Sequence, residues 1–301
     1  MSDGRAATDG DAPVVVKIGG ARAVDPAGAA ADVAALAGDG EGADGRGTGA
    51  DAATDVVVVH GGSTAVDDLL QDLGIDPEYV ETPGGVTGRF TDAETMAAFT
   101  MAMSRVNVDL VATLRAAGAD ALGLSGVDGG LLTGARKSAV RVIEGGKRKI
   151  RRGDHSGTIE RVNADLLERL LADGYTPVVG PPMLADDGVP VNTDADRAAA
   201  AVAGALGARL VLLTDVAGVY ADPDDPATRI DRVTTAEEFS ALEDAAEGFM
   251  GRKVMAIREA LAGGAVACVV ADANADAPVR TALDGGGTTV TRAAVTEEGA
   301  P

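Results

Sequence analysis

At 301 residues the chain can bury a full core as one large or two small domains, and although 46% of it is hydrophobic, no apolar stretch approaches the 18 residues of a membrane span. Its 47 Asp and Glu against 26 Lys and Arg, a formal charge of −21, argue against general nucleic-acid binding. They suit a halophilic cytoplasm, where salt screens self-repulsion beyond about 3 Å at 1 M.

Residues 1–12 are Gly, Asp and Ala without periodicity and read as a disordered tail; they contain no signal peptide, so the expected location is cytoplasmic. Val14 to Gly20 (VVVKIGG) is a β-branched run closed by one lysine and two glycines. It reads as a buried parallel strand with Lys17 near the end where open α/β sheets hold ligands. Pro26 to Ala37 is expected to be a helix, and 38–54 a low-complexity acidic loop. Asp55 to His60 is a second strand, ending in HGGS, with Ser63 as the expected cap of a helix to Leu73. Glu81 to Phe90 is turn-rich and leaves Arg89 in a neutral stretch, and Thr91 to Ala117 reads as a helix opened by a T-D-A-E capping box.

Ala121 to Leu124 is a strand leading into the glycine turn SGVDGG. Arg136 to Arg152 then holds eight Lys or Arg and one Glu, net +7, while the remainder carries −28. It reads as a β-hairpin turning at Gly145 and Gly146 and offering cations to a partner. A helix over Asn163 to Ala172 and a strand over Thr176 to Gly180 follow. PVNTDAD then enters an Ala-rich helix from Arg197 to Leu206, and Arg209 to Thr214 is a strand before DVAGVY. Glu247 to Ala262 is a helix, and strands over Ala265 to Ala271 and Thr288 to Thr291 complete a mainly parallel sheet sandwiched by helices. The single Cys268, inside the apolar run AVACVVAD, is a core residue on this reading.

No Walker A loop, no G-x-G-x-x-G after a strand, no G-x-S-x-G elbow and no His/Cys cluster for zinc occurs. Only five lysines exist, Lys17, Lys137, Lys147, Lys149 and Lys253, against 21 arginines, so each stands out from the surface background. Lys17 and Lys253, with Asp196 between them and backbone amides of Gly19, Gly20, Gly61 and Gly62, form a constellation for phosphoryl transfer to an anionic acceptor. Two anions must there be brought together in line. Taken singly, each feature also has an ordinary explanation: a tight turn for KIGG, a satisfied turn histidine for His60, a helix cap for Asp194 or Asp196.

In order, KIGG, HGGS, GRFTD, SGVDGG, PVNTDADRAAAAVA, LLTDVAGVY and GFMGRKV resemble the amino acid kinase family and, within it, the N-acetylglutamate kinase group. GRFTD, SGVDGG and the basic hairpin are most similar to the branch acting on glutamate or 2-aminoadipate attached to the amino-group carrier protein LysW. The resemblance spans Val14 to about Val290 and implies a three-layer αβα sandwich, ATP, Mg²⁺ and a homodimer. It implies an N-terminal lobe at 13–185 for substrate and dimerisation, and a nucleotide lobe at 186–301. It further implies that Lys17 and Lys253 stabilise the transition state, that Asp196 organises them, and that Gly61, Gly62, Arg89 and Asn192 hold the acyl-amino acid. Gly19, Gly20, Thr214, Asp215, Gly218, Val219, Tyr220, Gly248 and Met250 would follow the nucleotide; no metal-ligand set is assigned. Gly248 and Phe249 stand where the family has a glycine pair, and 38–54 is an insertion. Free N-acetylglutamate kinase is the alternative enzyme, isopentenyl phosphate kinase a more distant one, and an amino-acid sensor on the same fold the non-enzymatic alternative.

Overall fold

The computed structural model describes residues 12–19, 26–38, 53–83, 85, 87–246 and 248–296. In chain order the first elements are β1 (Val14–Ile18), α1 (Pro26–Ala37), β2 (Val56–His60), α2 (Ser63–Asp72), β3 (Tyr79–Glu81), β4 (Thr87–Arg89), α3 (Ala93–Ala116) and β5 (Ala121–Gly126). Then come β6 (Leu132–Glu144), β7 (Lys147–Val162), α4 (Ala164–Ala172), β8 (Thr176–Ala185), β9 (Pro190–Val191), α5 (Ala195–Leu206) and β10 (Arg209–Thr214). The chain closes with β11 (Arg232–Val233), α6 (Ala236–Ala245), α7 (Gly248–Gly263), β12 (Ala267–Asp272), α8 (Pro278–Leu283) and β13 (Thr288–Thr291).

Among the described residues the main sheet runs β11-β13-β12-β10-β1-β2-β8-β6-β7, with β5 and β9 also paired to β8. From β12 to β8 every pairing is parallel, while β13 runs antiparallel to β12 and β7 to β6. The strand period of two sorts the central valines onto two cores. Val14, Val16 and Ile18 of β1, with Val56 and Val58 of β2, pack among residues of α1, α3 and α8. Val15, Val57 and Val59 pack on the opposite face with residues of α4, α5 and α7. Each fully buried Val or Leu contributes roughly 1.5–3 kcal/mol, so these strands are firm supports for the loops at their ends. The same alternation sends Lys17 with Val15 toward α5 and α7, and His60 with Val58 toward α3.

Several boundaries differ from the expected ones. Gly62, not Ser63, occupies the cap of α2, which has no side-chain cap bond. Asp92, not Thr91, caps α3 by accepting from Thr95 N at 2.8 Å, because Thr91 is fully buried and reaches toward Asn192. Strand β8 runs on through Pro181 and Pro182 to Ala185, because the stretch stays buried and paired to β6 and β9. The β3–β4 ribbon, β9, β11 and α8 are too short for periodicity to reveal, and sequence reasoning missed α6, ten residues opened by a Thr235–Glu238 capping box. Residues 1–11 of the expected tail and 39–52 of the acidic loop lie outside the described residues, but Ala12 is buried and belongs to the core.

The basic stretch is the expected hairpin. Gly145 and Gly146 have φ of 57° and 74°, the pair of positive values a two-residue turn requires. Pairs facing the same way are Val140 with Arg151, Val142 with Lys149 and Glu144 with Lys147. On this face Lys149 meets Glu144 at 2.7 Å, and Arg151 pairs with Glu78 and lies 4.3 Å over the Phe90 ring. The opposite face carries Arg141, Arg148 and Arg152 with Ile150, which is 67% exposed, and none of these arginines has an acidic partner among the described residues.

Candidate active site

The C-terminal ends of β1, β2 and β10 and the start of α5 open onto one cleft of about 960 Å³. Asp194 caps α5 by accepting from Asp196 N and Arg197 N at 2.9 and 3.1 Å, so the ordinary cap reading holds for Asp194. Asp196, two residues further, is buried with its oxygens toward two lysines. Oδ1 lies 2.7 Å from Lys17 Nζ and Oδ2 accepts from Lys253 Nζ at 3.1 Å. Both contacts are ion pairs within a buried group.

Burial works to raise the Asp196 carboxyl, and the two ammonium groups outweigh it and bring it down to about 2. Burial, followed by the Lys17 charge, holds Lys253 below the ordinary lysine range against the pull of Asp196. Asp196 is therefore ionised at any working pH. With both lysines charged, two cations around one carboxylate leave a net positive charge facing the cleft, which suits a phosphoryl group gaining charge as it transfers.

Of the residues singled out from sequence, Lys17, Gly19, Gly61, Gly62, Arg89, Asn192, Asp196, Thr214, Asp215 and Lys253 all line this cleft. Gly20 lies outside the described residues. Gly218, Val219, Tyr220, Gly248 and Met250 are not in its wall. Val219 is buried with its N–H on Thr288 Oγ1 at 2.7 Å, Tyr220 bridges to Arg229, and Met250 packs against the core. Gly61 needs a correction, because its N–H is given to Ile18 O at 3.2 Å and is unavailable to an anion. Arg89 is not isolated either: Nη2 donates to Asp67 Oδ1 at 2.8 Å and to Ser63 O at 2.9 Å, and Nε donates to the same Asp67 oxygen at 3.1 Å. Asn192 donates to Thr91 Oγ1 at 3.1 Å.

Sequence reasoning missed the ion pair of Arg197 with Glu259, at 2.8 and 2.7 Å, which ties α5 to α7 beside the lysines. It also missed Asp67 and Asn107. Cys268 is buried and burial pushes its thiol up, which agrees with a core role.

Burial holds the His60 imidazole below the ordinary histidine value of 6.5, with its hydrogen bond to the Gly61 carbonyl working the other way. Below that value the unfolded chain takes up the proton first, so stability is expected to fall as pH drops from about 6.5 toward the folded pKa. Urea midpoints of wild type and His60→Asn between about pH 7 and 5 check this: the wild type should lose more over that interval.

The model of the amino acid kinase family matches residues 12–272. The chain belongs to the amino acid kinase family. It is 40% identical over 283 residues to the [LysW]-aminoadipate kinase of Thermus thermophilus, covering 92% of this chain and 99% of that protein. It is 46% identical over 192 residues to the acetylglutamate kinase of Methanopyrus kandleri, covering 63% of this chain and 74% of that one. Among solved structures, the carbamate kinase of Giardia aligns with a TM-score of 0.60 at 16% identity over 93% of this chain and 98% of its own, a likeness of fold. As an amino acid kinase fold the sheet and its two helical layers match the sandwich expected from sequence. No helix among the described residues is long and apolar enough to cross a membrane.

Proposed function

We propose that the chain transfers the γ-phosphoryl group of ATP to the side-chain carboxylate of 2-aminoadipate or glutamate carried on LysW, forming an acyl phosphate for lysine or arginine synthesis. The observation that carries this reading is the Lys17–Asp196–Lys253 group on the cleft wall. A carboxylate oxygen attacks the γ-phosphorus, the bond to the β-phosphate oxygen breaks, and ADP leaves. The two ammonium groups offset the repulsion between acceptor and donor, while Asp196 holds them in place. Gly62, Arg89 and Asn192 hold the acyl-amino acid with Gly61 shaping the turn, and Gly19, Gly20, Thr214 and Asp215 contact the phosphates. Gly218, Val219, Tyr220, Gly248 and Met250 follow the rest of the nucleotide beyond the cleft, in the 186–301 lobe, with the acceptor in the 13–185 lobe.

Mg²⁺ enters as Mg·ATP. The ion would neutralise charge on the phosphates, and Asp196, already between two lysines, is not assigned to it. The hairpin supports the carrier: Arg141, Arg148 and Arg152 form a basic face beside exposed Ile150, on which an acidic protein can dock through arginine forks even in high salt. Met101 and Val108 of α3, 54% and 63% exposed, support a homodimer, and the acidic composition supports a halophilic cytoplasm. Free N-acetylglutamate is the second acceptor to consider, because the Methanopyrus relative bears that activity in its name. The intact lysine pair speaks against a sensor.

ADP release at high KCl with Mg·ATP tests the reading, comparing carrier-linked aminoadipate or glutamate with free N-acetylglutamate. Turnover of the carrier-linked acceptor alone is the expected result; robust turnover of the free acetylated acid would transfer the assignment to the second reading. Changing Arg141, Arg148 and Arg152 together to Gln should lower kcat/KM for the carrier-linked acceptor by about 10-fold or more, at roughly 0.5–1 kcal/mol per contact. An unchanged value would remove the hairpin from carrier docking.

A further inference from the structure

His60 is 2% exposed, takes no part in the transfer described above, and yet has a costly place prepared for it. A Cβ on Gly180 would stand 2.3 Å from its Nε2, and one on Gly123 would stand 2.1 Å from Oδ1 of its partner Asn107. Two strands of the sheet, β5 and β8, thus give up a side chain where the His60–Asn107 pair sits.

The hydrogen-bond pattern fixes the ring. Asn107 Nδ2 lies 2.9 Å from Val178 O, 3.4 Å from Leu124 O and 3.0 Å from His60 Nε2. Carbonyl oxygens only accept, so the amide nitrogen, not the amide oxygen, faces this group. Nε2 must then accept from Asn107, which leaves the proton of the neutral ring on Nδ1. Nδ1 lies 3.1 Å from Gly61 O and donates to it.

That bond has a consequence one atom further along. The Gly61–Gly62 peptide is trans, so its C=O and N–H point in opposite directions within one plane. With Gly61 O turned toward His60, on the α3 side, Gly62 N–H is turned the other way. Gly61 N–H is already bound to Ile18 O, which pins the preceding peptide as well. Gly62 lines the cleft together with Lys17.

We propose that His60 is a positioning residue: held by Asn107 as the Nδ1–H tautomer, it grips the Gly61 carbonyl and so aims Gly62 N–H at an anionic oxygen of the reacting groups. This rests on the phosphoryl-transfer reading, and it assigns to a side chain outside the cleft wall the direction of a donor inside it.

Two substitutions separate this role from packing. In His60→Asn the amide nitrogen takes the place of Nδ1 and keeps the bond to Gly61 O, while the contact to Asn107 is lost. In His60→Gln the amide reaches the place of Nε2, keeps the Asn107 contact and loses Gly61 O. With Mg·ATP and the acyl acceptor, His60→Asn is expected to stay within about 3-fold of wild-type kcat. His60→Gln should fall by about 10²–10³ in kcat, the effect of losing one oxyanion donor, with the KM for ATP near wild type. Equal kcat in the two variants would overturn the proposal.

The chain has only His60 and His155, so ¹⁵N shifts of the histidine-labelled wild type can be read without variants that must fold. A buried neutral ring in the Nδ1–H form is expected, and an Nε2–H form overturns the proposal. Absence of turnover in wild type, whatever the tautomer, would overturn the phosphoryl-transfer reading and with it the aim assigned to Gly62.

Discussion

Lys17→Ala is expected to lower kcat by about three orders of magnitude while leaving the affinity for Mg·ATP within a few fold. Lys17 is 6% exposed and its ammonium lies 2.7 Å from Asp196, so it acts in a site where charge is little screened. Its interaction with the transferring phosphoryl group strengthens as charge develops, and removing one such preorganised donor costs about 3–4 kcal/mol in the transition state. Nucleotide binding draws on several backbone groups and changes less. Removing the cation also leaves Asp196 with Lys253 alone, so the carboxyl should rise from its present value of about 2. Steady-state ADP release gives kcat, and titration of a fluorescent nucleotide gives affinity. Near-normal turnover in Lys17→Ala would end the case for Lys17 as a catalytic residue.

Asp196→Asn is expected to damage fold and activity together, because the substitution keeps the shape and removes the negative charge that both buried cations contact. Breaking a buried ion pair from one side typically costs 3–5 kcal/mol, since the charge left behind is uncompensated. Here two charges are left behind. Lys253, already below the ordinary lysine range, should drop further once the Asp196 charge that pulls it up is gone, and both ammonium groups lose the anion that holds them in place. The expected result is an unfolding free energy lowered by about 3–5 kcal/mol in urea titrations and a kcat down by about 10³-fold or more. In the wild type the sign with pH is fixed by the same geometry. A carboxyl brought from 3.8 to about 2 contributes roughly 2 kcal/mol above pH 4, and that contribution is lost as pH falls through the folded value. An Asp196→Asn enzyme with wild-type stability would show that the lysines need no anion between them.

The parts of this site legible in the sequence were those where composition or covalent pattern isolates a residue. Lys17 and Lys253 stand out because only five lysines exist, and Asp196 because PVNTDAD precedes an Ala-rich helix. The strand ends, the hairpin turn at Gly145 and Gly146, and most helices followed from period, glycine and length. Asp67, Asn107 and Glu259 were not legible: each is one polar residue among several on a helix, and only packing decides which one faces Arg89, His60 or Arg197. The cap at Asp92 in place of Thr91 has a similar cause, since both residue types cap well and the buried contact of Thr91 with Asn192 decides between them. The assignment of Gly218, Val219, Tyr220, Gly248 and Met250 to the nucleotide came from motif resemblance, which orders residues along a chain without giving distances between them.

The place of β1 in the sheet also bears on how the chain is made. Its five residues are flanked by β2 on one edge and β10 on the other, and the β10 edge pairs Val14 with Arg209. On the ribosome the first of these partners emerges almost at once and the second only after the hairpin and α5 have been synthesised. At about 5–20 residues per second, one edge of a strand that is apolar except for Lys17 stays open for roughly 10–40 s in each round of translation. An open valine edge is a template for pairing with neighbouring nascent chains. The same central position that holds Lys17 steady in the finished enzyme thus makes synthesis the stage at which this chain is most exposed to misassembly.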